Sequence, residues 1–230
     1  MSIEPHTAHP FRRPHVIRDF VVGLPDGLIL PFALAAGLSG AGQPAKLIII
    51  AGLAEIAAGA IALGVGGYLA GKTEMEYYTA ALKKEYDEAV RLPSREQEVR
   101  NFFGNLGLSG EVQEQAVAEM TKDKRTWVDF MMKYELGPDK PDPARARKSA
   151  FNIGLSYFTG GLIPLSPYFF PHNGLTGLMI SALITLTILF IFGYFKSRLT
   201  GLPAWQGAIR ITLIGAVAAA CAFGIARMIV

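Results

Sequence analysis

The sequence predicts an all-α polytopic membrane protein with five transmembrane helices and a helical cytosolic insert between the second and the third. Three observations support this fold class. The 230 residues are 51% hydrophobic, with a mean hydropathy of +0.31. The apolar residues form five runs, each long enough to cross a hydrocarbon core of ~30 Å as a helix of ~20 residues. Of the 19 acidic residues, 15 lie in one polar segment, residues 71–149.

The apolar runs define the predicted spans and leave two further segments. The spans are Phe20–Ser39, Leu47–Ala70, Ala150–Phe170, Leu175–Phe195 and Gly207–Ile229. We therefore divide the chain into a cytosolic tail (1–19), two transmembrane helices (20–70), the insert (71–149) and three transmembrane helices (150–230). The tail has no apolar core and does not resemble a signal peptide. The single Cys221 excludes a disulfide within the chain.

The distribution of Lys and Arg predicts the orientation in the membrane. Basic residues flank one set of span ends and are nearly absent from the other. The first set comprises Arg12, Arg13, Arg18, Lys196, Arg198 and Arg210, and the second only Lys46 and Arg227. We expect a cytosolic N-terminus and insert, and an external or lumenal C-terminus. The net charge of +3 and pI of about 9.0 then reflect topology. No basic stripe interleaved with aromatic residues indicates a nucleic-acid partner.

The insert is predicted to consist of helices. Residues 73–92 lack Gly and Pro, so the second span should continue into the insert and end at Pro93. Ser94 with Gln97 forms a capping-box pattern. Gly107 is suited to end the following helix, and Ser109 to begin another. The last helix carries an apolar stripe made of Trp127, Phe130, Met131 and Tyr134.

Two carboxylates lie inside predicted spans, Asp26 and Glu55. A charged carboxylate at mid-bilayer costs ~2.5–3.5 kcal/mol or more, and neither span offers a basic partner. A structural hydrogen bond to another helix is one explanation. A cation or proton site is the explanation that we favour. At ~1.5 Å per residue, Asp26 lies ~9 Å from the cytosolic side, near the level of Leu63, with Glu55 further out.

Asp26 belongs to the segment Gly23-Leu-Pro-Asp-Gly-Leu28, with Pro31 following. A helix interrupted there, with an irregular turn at Gly27, would free backbone carbonyls beside the carboxylate. A simple proline kink is the alternative. The small residues of the second span suit close helix packing at least as well as a permeation wall.

The insert carries carboxylates that suit divalent ions such as Mn²⁺ and Fe²⁺. Glu85 and Glu88 share a helix face, and Glu96 and Glu98 follow one turn later. From the residues alone, a solvated charged surface is the better explanation of these side chains. Met131 fits the apolar stripe, whereas Met132 and Glu135 lie off it. No catalytic triad, P-loop or dinucleotide fingerprint is present, so we do not expect an enzyme.

Three segments resemble the vacuolar iron transporter family. Residues 26–40 read DGLILPFALAAGLSG, residues 51–60 read AGLAEIAAGA, and residues 127–137 read WVDFMMKYELG. The resemblance extends from about Arg18 to the end of the chain. It implies a five-helix homodimer that exports Fe²⁺, and also Mn²⁺, from the cytosol in exchange for protons, without a prosthetic group.

The resemblance also implies roles for individual residues. It assigns Asp26 to a translocation path between the first helices of two subunits, and Glu55 to the same path or to its proton coupling. The cytosolic metal site comprises Glu85, Glu88, Glu96, Glu98, Met131, Met132 and Glu135. A path methionine expected in the family's iron-transporting members is here Leu63, which cannot bind a metal and makes a preference for Mn²⁺ more plausible. The chain has no long N-terminal extension, which favours a prokaryotic plasma membrane over a vacuole.

Two alternatives compete with a proton-coupled exporter. A membrane-anchored sensor or storage module would bind metal in the insert without transporting it. A di-iron oxidoreductase is disfavoured because the insert lacks the Glu-x-x-His pairs of di-iron bundles.

Overall fold

The structure, a computed structural model, describes residues 15–88, 96–136, 141–170 and 174–230. These ranges contain eight α-helices and a 3-10 turn at Ser166–Phe169, and no strand. The helices are α1 His15–Gly40, α2 Ala45–Glu88, α3 Glu96–Asn105, α4 Gly110–Thr121, α5 Lys124–Leu136, α6 Arg145–Leu165, α7 Gly174–Leu199 and α8 Ala204–Ile229. Two compact units result. The first combines the chain up to Tyr68 with Arg147–Val230, and the second is Leu69–Ala146.

Four of the described helices are long and apolar enough to cross a membrane. They are α1, α2, α7 and α8, which contain four of the five predicted spans. Many large apolar side chains of the first unit face outward, including Met179 at 74% exposure and Ile61 at 68%. Such a surface suits lipid and disfavours water. The chain is therefore an all-α polytopic membrane protein.

The third predicted span corresponds to α6, which is not among these four helices. Polar side chains such as Asn152 and Thr159 lower its hydropathy, and Arg145 and Lys148 lie at its start. Its status as a span stays a prediction. Its position in the first unit is nonetheless well defined, because it packs against both α1 and α2.

Contacts along α6 fix the direction of its neighbours. From Gly23 to Pro31 of α1, the contacted residues of α6 rise from Ile153 to Gly161, so the two helices are parallel. Along α2 the order is reversed. Gly52 meets Leu165 at one end, whereas Gly64 approaches Ala150 at the other.

The last two helices continue the alternation. Ile29 and Gly37 of α1 lie near Gly215 and Ala222 of α8, so these helices are parallel. Helix α7 runs antiparallel to α8, as its Gly193 adjoins Gly207. Together with α2, α7 therefore opposes the direction of α1, α6 and α8. An alternating order is what successive crossings of a bilayer require.

Glycines allow these helices to approach closely. A Cβ on Gly154 would lie 2.9 Å from the carbonyl oxygen of Ala60, and one on Gly64 would lie 3.0 Å from that of Ala150. A Cβ on Gly27 would overlap the backbone of Tyr157. Small residues at helix interfaces are the usual means of close packing in lipid. The small residues of α2 that contact α6 therefore serve packing.

The expected interruption of the first span is wrong. Helix α1 runs without a break through Pro25 and Pro31, and Gly27 has no positive φ angle. Gly27 is small because α6 packs on it, so the helix needs no irregular turn there. Each proline still removes one amide donor, and the carbonyl groups of Val21 and Gly27 lose their i+4 partners.

The second unit has its own apolar core. Helices α3, α4 and α5 pack on Tyr78 and Leu82 of α2. The buried residues are Val99, Val117, Trp127, Val128, Met131 and Met132. Met132, predicted to lie off the apolar stripe, is thus buried beside Met131. The side chain of Tyr134 lies outside the described residues.

The ends of the insert helices follow local signals in part. Gly107 follows α3 with φ +89°, as predicted for a helix-ending glycine. Ser109 precedes α4 but its side chain makes no capping hydrogen bond. Asp123, which the sequence analysis did not single out, accepts a bond of 3.0 Å from the Thr126 amide and so caps α5. Pro93 and Ser94 lie outside the described residues.

Helices α3 and α4 are joined by an ion pair. The guanidinium of Arg100 donates two bonds of 2.7 Å to the Glu114 carboxylate. These bonds lower the pKa of Glu114. Such a group stabilises the fold above its unfolded pKa, and that contribution is lost as pH falls through the folded value. Because the pair is exposed, its contribution is small.

We expect Gly27→Ala to destabilise the protein by about 1–3 kcal/mol, because the new methyl group would overlap the backbone of α6. Gly66→Ala is the matched control, since a Cβ there meets nothing within 4 Å. It should leave stability unchanged or raise it by up to ~1 kcal/mol through helix propensity. Thermal unfolding of the purified protein in detergent measures both. Equal effects would contradict the packing described.

Candidate functional site

The polar face of α6 lies against the carboxylates of α1 and α2. Ser149, Asn152 and Ser156 recur at spacings of three and four residues and therefore share one face of the helix. Tyr157 follows and points to α2. Intramembrane polar groups need partners inside the protein, because lipid offers none. Helix α6 supplies them.

Asp19 of α1 is the most completely satisfied of the three acidic side chains that the structure describes in the first unit. Its side chain is 1% exposed. Ser149 Oγ donates to Oδ1 at 2.7 Å, and Asn152 Nδ2 donates to Oδ2 at 3.3 Å. Both carboxylate oxygens thus have a neutral donor. We infer a structural contribution, the joining of α1 to α6.

Glu55 of α2 is satisfied on one oxygen. The hydroxyl of Tyr157 donates a short hydrogen bond to Oε1. Oε2 is buried and has no hydrogen-bond partner among the described residues. An unpaired buried carboxylate oxygen is costly unless a proton or a cation neutralises it. Glu55 therefore has one oxygen available to such a ligand.

Asp26 of α1 is half-buried, and the described residues provide it with no hydrogen bond and no ion pair. The next residue, Gly27, lies against the backbone of Tyr157, as Gly59 of α2 lies against its ring. Asp26 and Glu55 thus approach the same tyrosine from two helices. Of the two, Asp26 is the carboxylate with fewer partners.

The level of Leu63 follows from the same contacts. Gly27 and Gly59 both contact Tyr157, whereas Gly23 and Gly67 both contact Ile153. Leu63 is midway between the two glycines of α2, and Asp26 is close to Gly27. At ~1.5 Å per residue, the two residues lie within about one helical turn of each other along the helix axes. The half-buried Leu63 side chain brings no ligand atom to this level.

The arrangement can bind a small cation or a proton. It combines two carboxylates of differing satisfaction, a tyrosine hydroxyl and the Gly27 carbonyl that lacks its i+4 donor. Oxygen ligands suit hard or borderline divalent ions. None of these four groups contains sulfur. No basic side chain of the described residues forms an ion pair with either carboxylate.

The insert ligands predicted from the sequence are described only in part, and their metal site stays a prediction. Among the described residues, no group of three or more His, Cys, Asp or Glu side chains is arranged for a metal. Glu85 is 1% exposed, whereas Glu96 and Glu98 are exposed in the first turn of α3. Met131 and Met132 belong to the apolar core. The side chains of Glu88 and Glu135 lie outside the described residues.

Sequence reasoning overlooked Asp19 and Tyr157. Asp19 was assigned to the edge of the membrane and Tyr157 was treated as part of an apolar run. Two signals were available. Asp19 precedes Asp26 by seven residues, about two turns, and so shares its helix face. The recurring polar residues of α6 also indicated a helix that offers hydrogen bonds to its neighbours.

Comparison with protein families gives one match, to the VIT family, over residues 17–227. Curated relatives align along nearly the whole chain. Vacuolar iron transporter 1 of Tulipa gesneriana is 44% identical over 228 residues, which is 99% of this chain and 92% of that protein. Vacuolar iron transporter 1 of Arabidopsis thaliana is 42% identical over 238 residues, 100% of this chain and 95% of that protein.

A fungal relative is similar to a comparable degree. Protein CCC1 of Saccharomyces cerevisiae is 40% identical over 227 residues, covering 94% of this chain and 70% of that protein.

We expect Tyr157→Phe to lower the free energy of unfolding by about 1–3 kcal/mol, because Glu55 would lose its donor while staying half-buried. Unfolding in detergent measures the loss. A double-mutant cycle with Glu55→Gln isolates the pair. Additive effects of the two substitutions would show that the hydrogen bond contributes nothing.

Proposed function

The chain belongs to the VIT family, and from that membership we propose that it is a proton-coupled transporter exporting Fe²⁺, Mn²⁺ or both from the cytosol. The family consists of transporters and not of enzymes. The observation that carries the proposal is Asp26, an intramembrane carboxylate of α1 without a partner among the described residues; Glu55 of α2 is satisfied on one oxygen only. We assign both to the translocation path.

The proposed topology has five spans, with α6 as the third. Its contacts with α1 and α2 and the alternating helix directions support this assignment. The N-terminus and the insert are then cytosolic, and the C-terminus is external or lumenal, in accord with the basic residues at the span ends. Ser149 and Asn152 of α6 donate to Asp19, and Ser156 and Thr159 donate to carbonyl groups of α6 itself, so these polar side chains have partners inside the protein.

We propose that two copies of the chain form the path. Val22, Asp26 and Leu30 lie four residues apart on one face of α1. Val22 is 43% exposed and Leu30 is 50% exposed, so this face is open in the single chain. A carboxylate that faced lipid would be costly. A second α1 on this face would shield Asp26 and place two carboxylates around a central path.

Proton coupling follows from the same carboxylates. An ionised carboxylate attracts a divalent cation, and a protonated one does not. Cation and proton therefore compete for the same oxygens, which links the movement of one to the other. Fixed basic partners would weaken that competition, and none forms an ion pair with Asp26 among the described residues.

The choice of metal depends on the ligand atoms. Leu63 stands where the resemblance implies a methionine. The proposed path near Asp26 therefore has oxygen ligands, and Leu63 adds no thioether to them. Oxygen ligands accept Mn²⁺ and Fe²⁺ alike, whereas sulfur would favour the softer ion. We therefore propose transport of both ions with reduced discrimination for iron.

The insert is proposed to bind the same ions before transport. Glu85, Glu88, Glu96, Glu98 and Glu135 would supply oxygens, and Met131 and Met132 thioethers. The buried position of both methionines means that metal binding through them would require the core to rearrange. The exposed Glu96 and Glu98 are the more accessible of these ligands.

The membrane is proposed to be one across which the ion leaves the cytosol. Two of the relatives reported above are named vacuolar iron transporters. Those names favour a vacuolar membrane. They give no support to the prokaryotic plasma membrane expected from the short N-terminus.

We expect a proton gradient to drive Fe²⁺ and Mn²⁺ flux in proteoliposomes, and Asp26→Asn to reduce that flux by roughly tenfold to a hundredfold. The estimate equates the lost charge-assisted contact with about 1.5–3 kcal/mol. Asp26→Asn keeps the shape of the side chain and removes its charge. Flux of each metal is measured with and without the gradient.

Glu76→Gln is the control for that experiment. It also removes one carboxylate, but Glu76 is exposed and pairs with Lys72, so flux should persist. If the folded and inserted wild type moves neither metal, the transporter proposal fails, and a metal-storing or metal-sensing insert becomes the better explanation.

We expect the double variant Glu96→Gln/Glu98→Gln to weaken metal binding by the full chain by at least about tenfold, because two oxygen ligands are lost. Equilibrium dialysis with Mn²⁺ measures it. Glu111→Gln/Glu119→Gln removes the same charge from α4, where both side chains are exposed, and should have little effect. Equal losses in the two variants would indicate a general attraction to acidic helices.

A further inference from the structure

A pocket of about 570 Å³ lies between the end of α7 and the start of α8. Its polar lining includes Lys196, Gln206 and Arg210, and its apolar lining includes Leu202, Ile211 and Ile214. From this combination we propose that the pocket binds the phosphate-bearing headgroup of an anionic phospholipid. Neither the metal path nor proton coupling uses these residues.

Within the described ranges, the two cations of the pocket have no acidic counterpart. No residue after Asp142 is acidic, so α7 and α8 contain no carboxylate. Helix α1, which packs against both, contributes Asp19 and Asp26. Asp19 is bonded to Ser149 and Asn152 of α6. The side chains of Lys196 and Arg210 form no ion pair among the described residues, so both are available to an external anion.

The pocket is formed by the way the two helices pack. At Gly193 and Gly207 the helices are in backbone contact, and a Cβ on Gly207 would lie 2.6 Å from Ser197 Cβ. The connecting turn reverses at Gly201, with φ +73°. This close contact holds Lys196 and Arg210 on facing helices. The packing of the two helices therefore determines the shape of the cleft and the positions from which the two basic side chains extend.

Aromatic residues place the pocket at the membrane–water boundary. Trp205 is 65% exposed and stands edge-on to Phe190 and Tyr194, with ring centroids 5.6 and 5.9 Å apart. Exposed Trp and Tyr side chains favour the headgroup level of a bilayer. A ligand there meets charge on one side and hydrocarbon on the other.

The apolar lining favours a lipid over free phosphate. Leu202 and Ile214 are exposed beside the cations. Inorganic phosphate would leave this surface in water, whereas an acyl chain would cover it. Basic pockets between transmembrane helices on the cytosolic side are known to receive anionic headgroups. By the distribution of basic residues, the α7–α8 turn belongs to that side.

The test uses the fluorescence of Trp205 in the full-length protein, reconstituted in phosphatidylcholine. Graded amounts of phosphatidylglycerol with brominated acyl chains are added, and brominated phosphatidylcholine is the reference quencher. Trp205→Phe identifies the part of the signal that comes from this residue. We expect the anionic lipid to quench at a much lower mole fraction than the reference.

Lys196→Gln/Arg210→Gln should reduce that preference by roughly thirtyfold, since two cations are removed. Arg18→Gln/Arg198→Gln removes the same charge from the same side of the membrane, outside the pocket, and should retain the preference. Lys196→Arg/Arg210→Lys keeps both charges and should also retain it. High ionic strength should weaken the preference of the wild type.

Four results would overturn the proposal. Equal quenching by both lipids would show no headgroup selection. Equal losses in the two charge-removing variants would show a general surface potential. Displacement of the anionic lipid by inorganic phosphate would reassign the pocket to the free ion. Absence of quenching by either lipid would indicate that a second copy of the chain covers the pocket.

Discussion

The first unit depends on one constraint, that a carboxylate surrounded by lipid must find its partners inside the protein. Helix α6 provides hydroxyl and amide donors to these carboxylates. It does not provide the same number to each of them. Asp19 receives a donor on each oxygen, and Glu55 receives one from Tyr157. Asp26 receives none among the described residues. The three carboxylates thus differ in the number of their partners, from two for Asp19 to none for Asp26, and the proposed site is centred on Asp26.

Glycine makes that series possible. The hydrogen bonds from α6 require its backbone to lie close to α1 and α2, and side chains at Gly27, Gly64 or Gly154 would keep the helices apart. The small residues of α2 that contact α6 are accounted for by packing, and there is no need to assign them to a pore wall. Packing and polarity are therefore linked, because the same contacts that exclude lipid bring the tyrosine to Glu55.

Much of the fold could be predicted, because an apolar run of about twenty residues forms a membrane-spanning helix in most proteins. The buried carboxylates were also detectable, since Asp26 and Glu55 are rare residues in such runs. The partners were not, because a hydrogen bond between residues 55 and 157 depends on which helices are neighbours. The expected break near Pro25 was wrong, because Gly27 allows α6 to pack closely on α1 and does not form an irregular turn. Met132 lies off the predicted apolar stripe and is nevertheless buried, because residues of α2, α3 and α4 share one core with α5, and the period of a single helix cannot show this.

The prolines of α1 have a consequence for how the site would respond to acid. A carboxylate loses its charge when it takes up a proton, but the dipole of a peptide carbonyl does not titrate. Pro31 leaves the carbonyl of Gly27, the residue after Asp26, without its helical donor. This stretch of α1 therefore combines one oxygen group that pH can switch with one that it cannot. Protonation of Asp26 would weaken the binding of an ion, but the carbonyl oxygen would remain as a weaker ligand. The ion would then be released in steps.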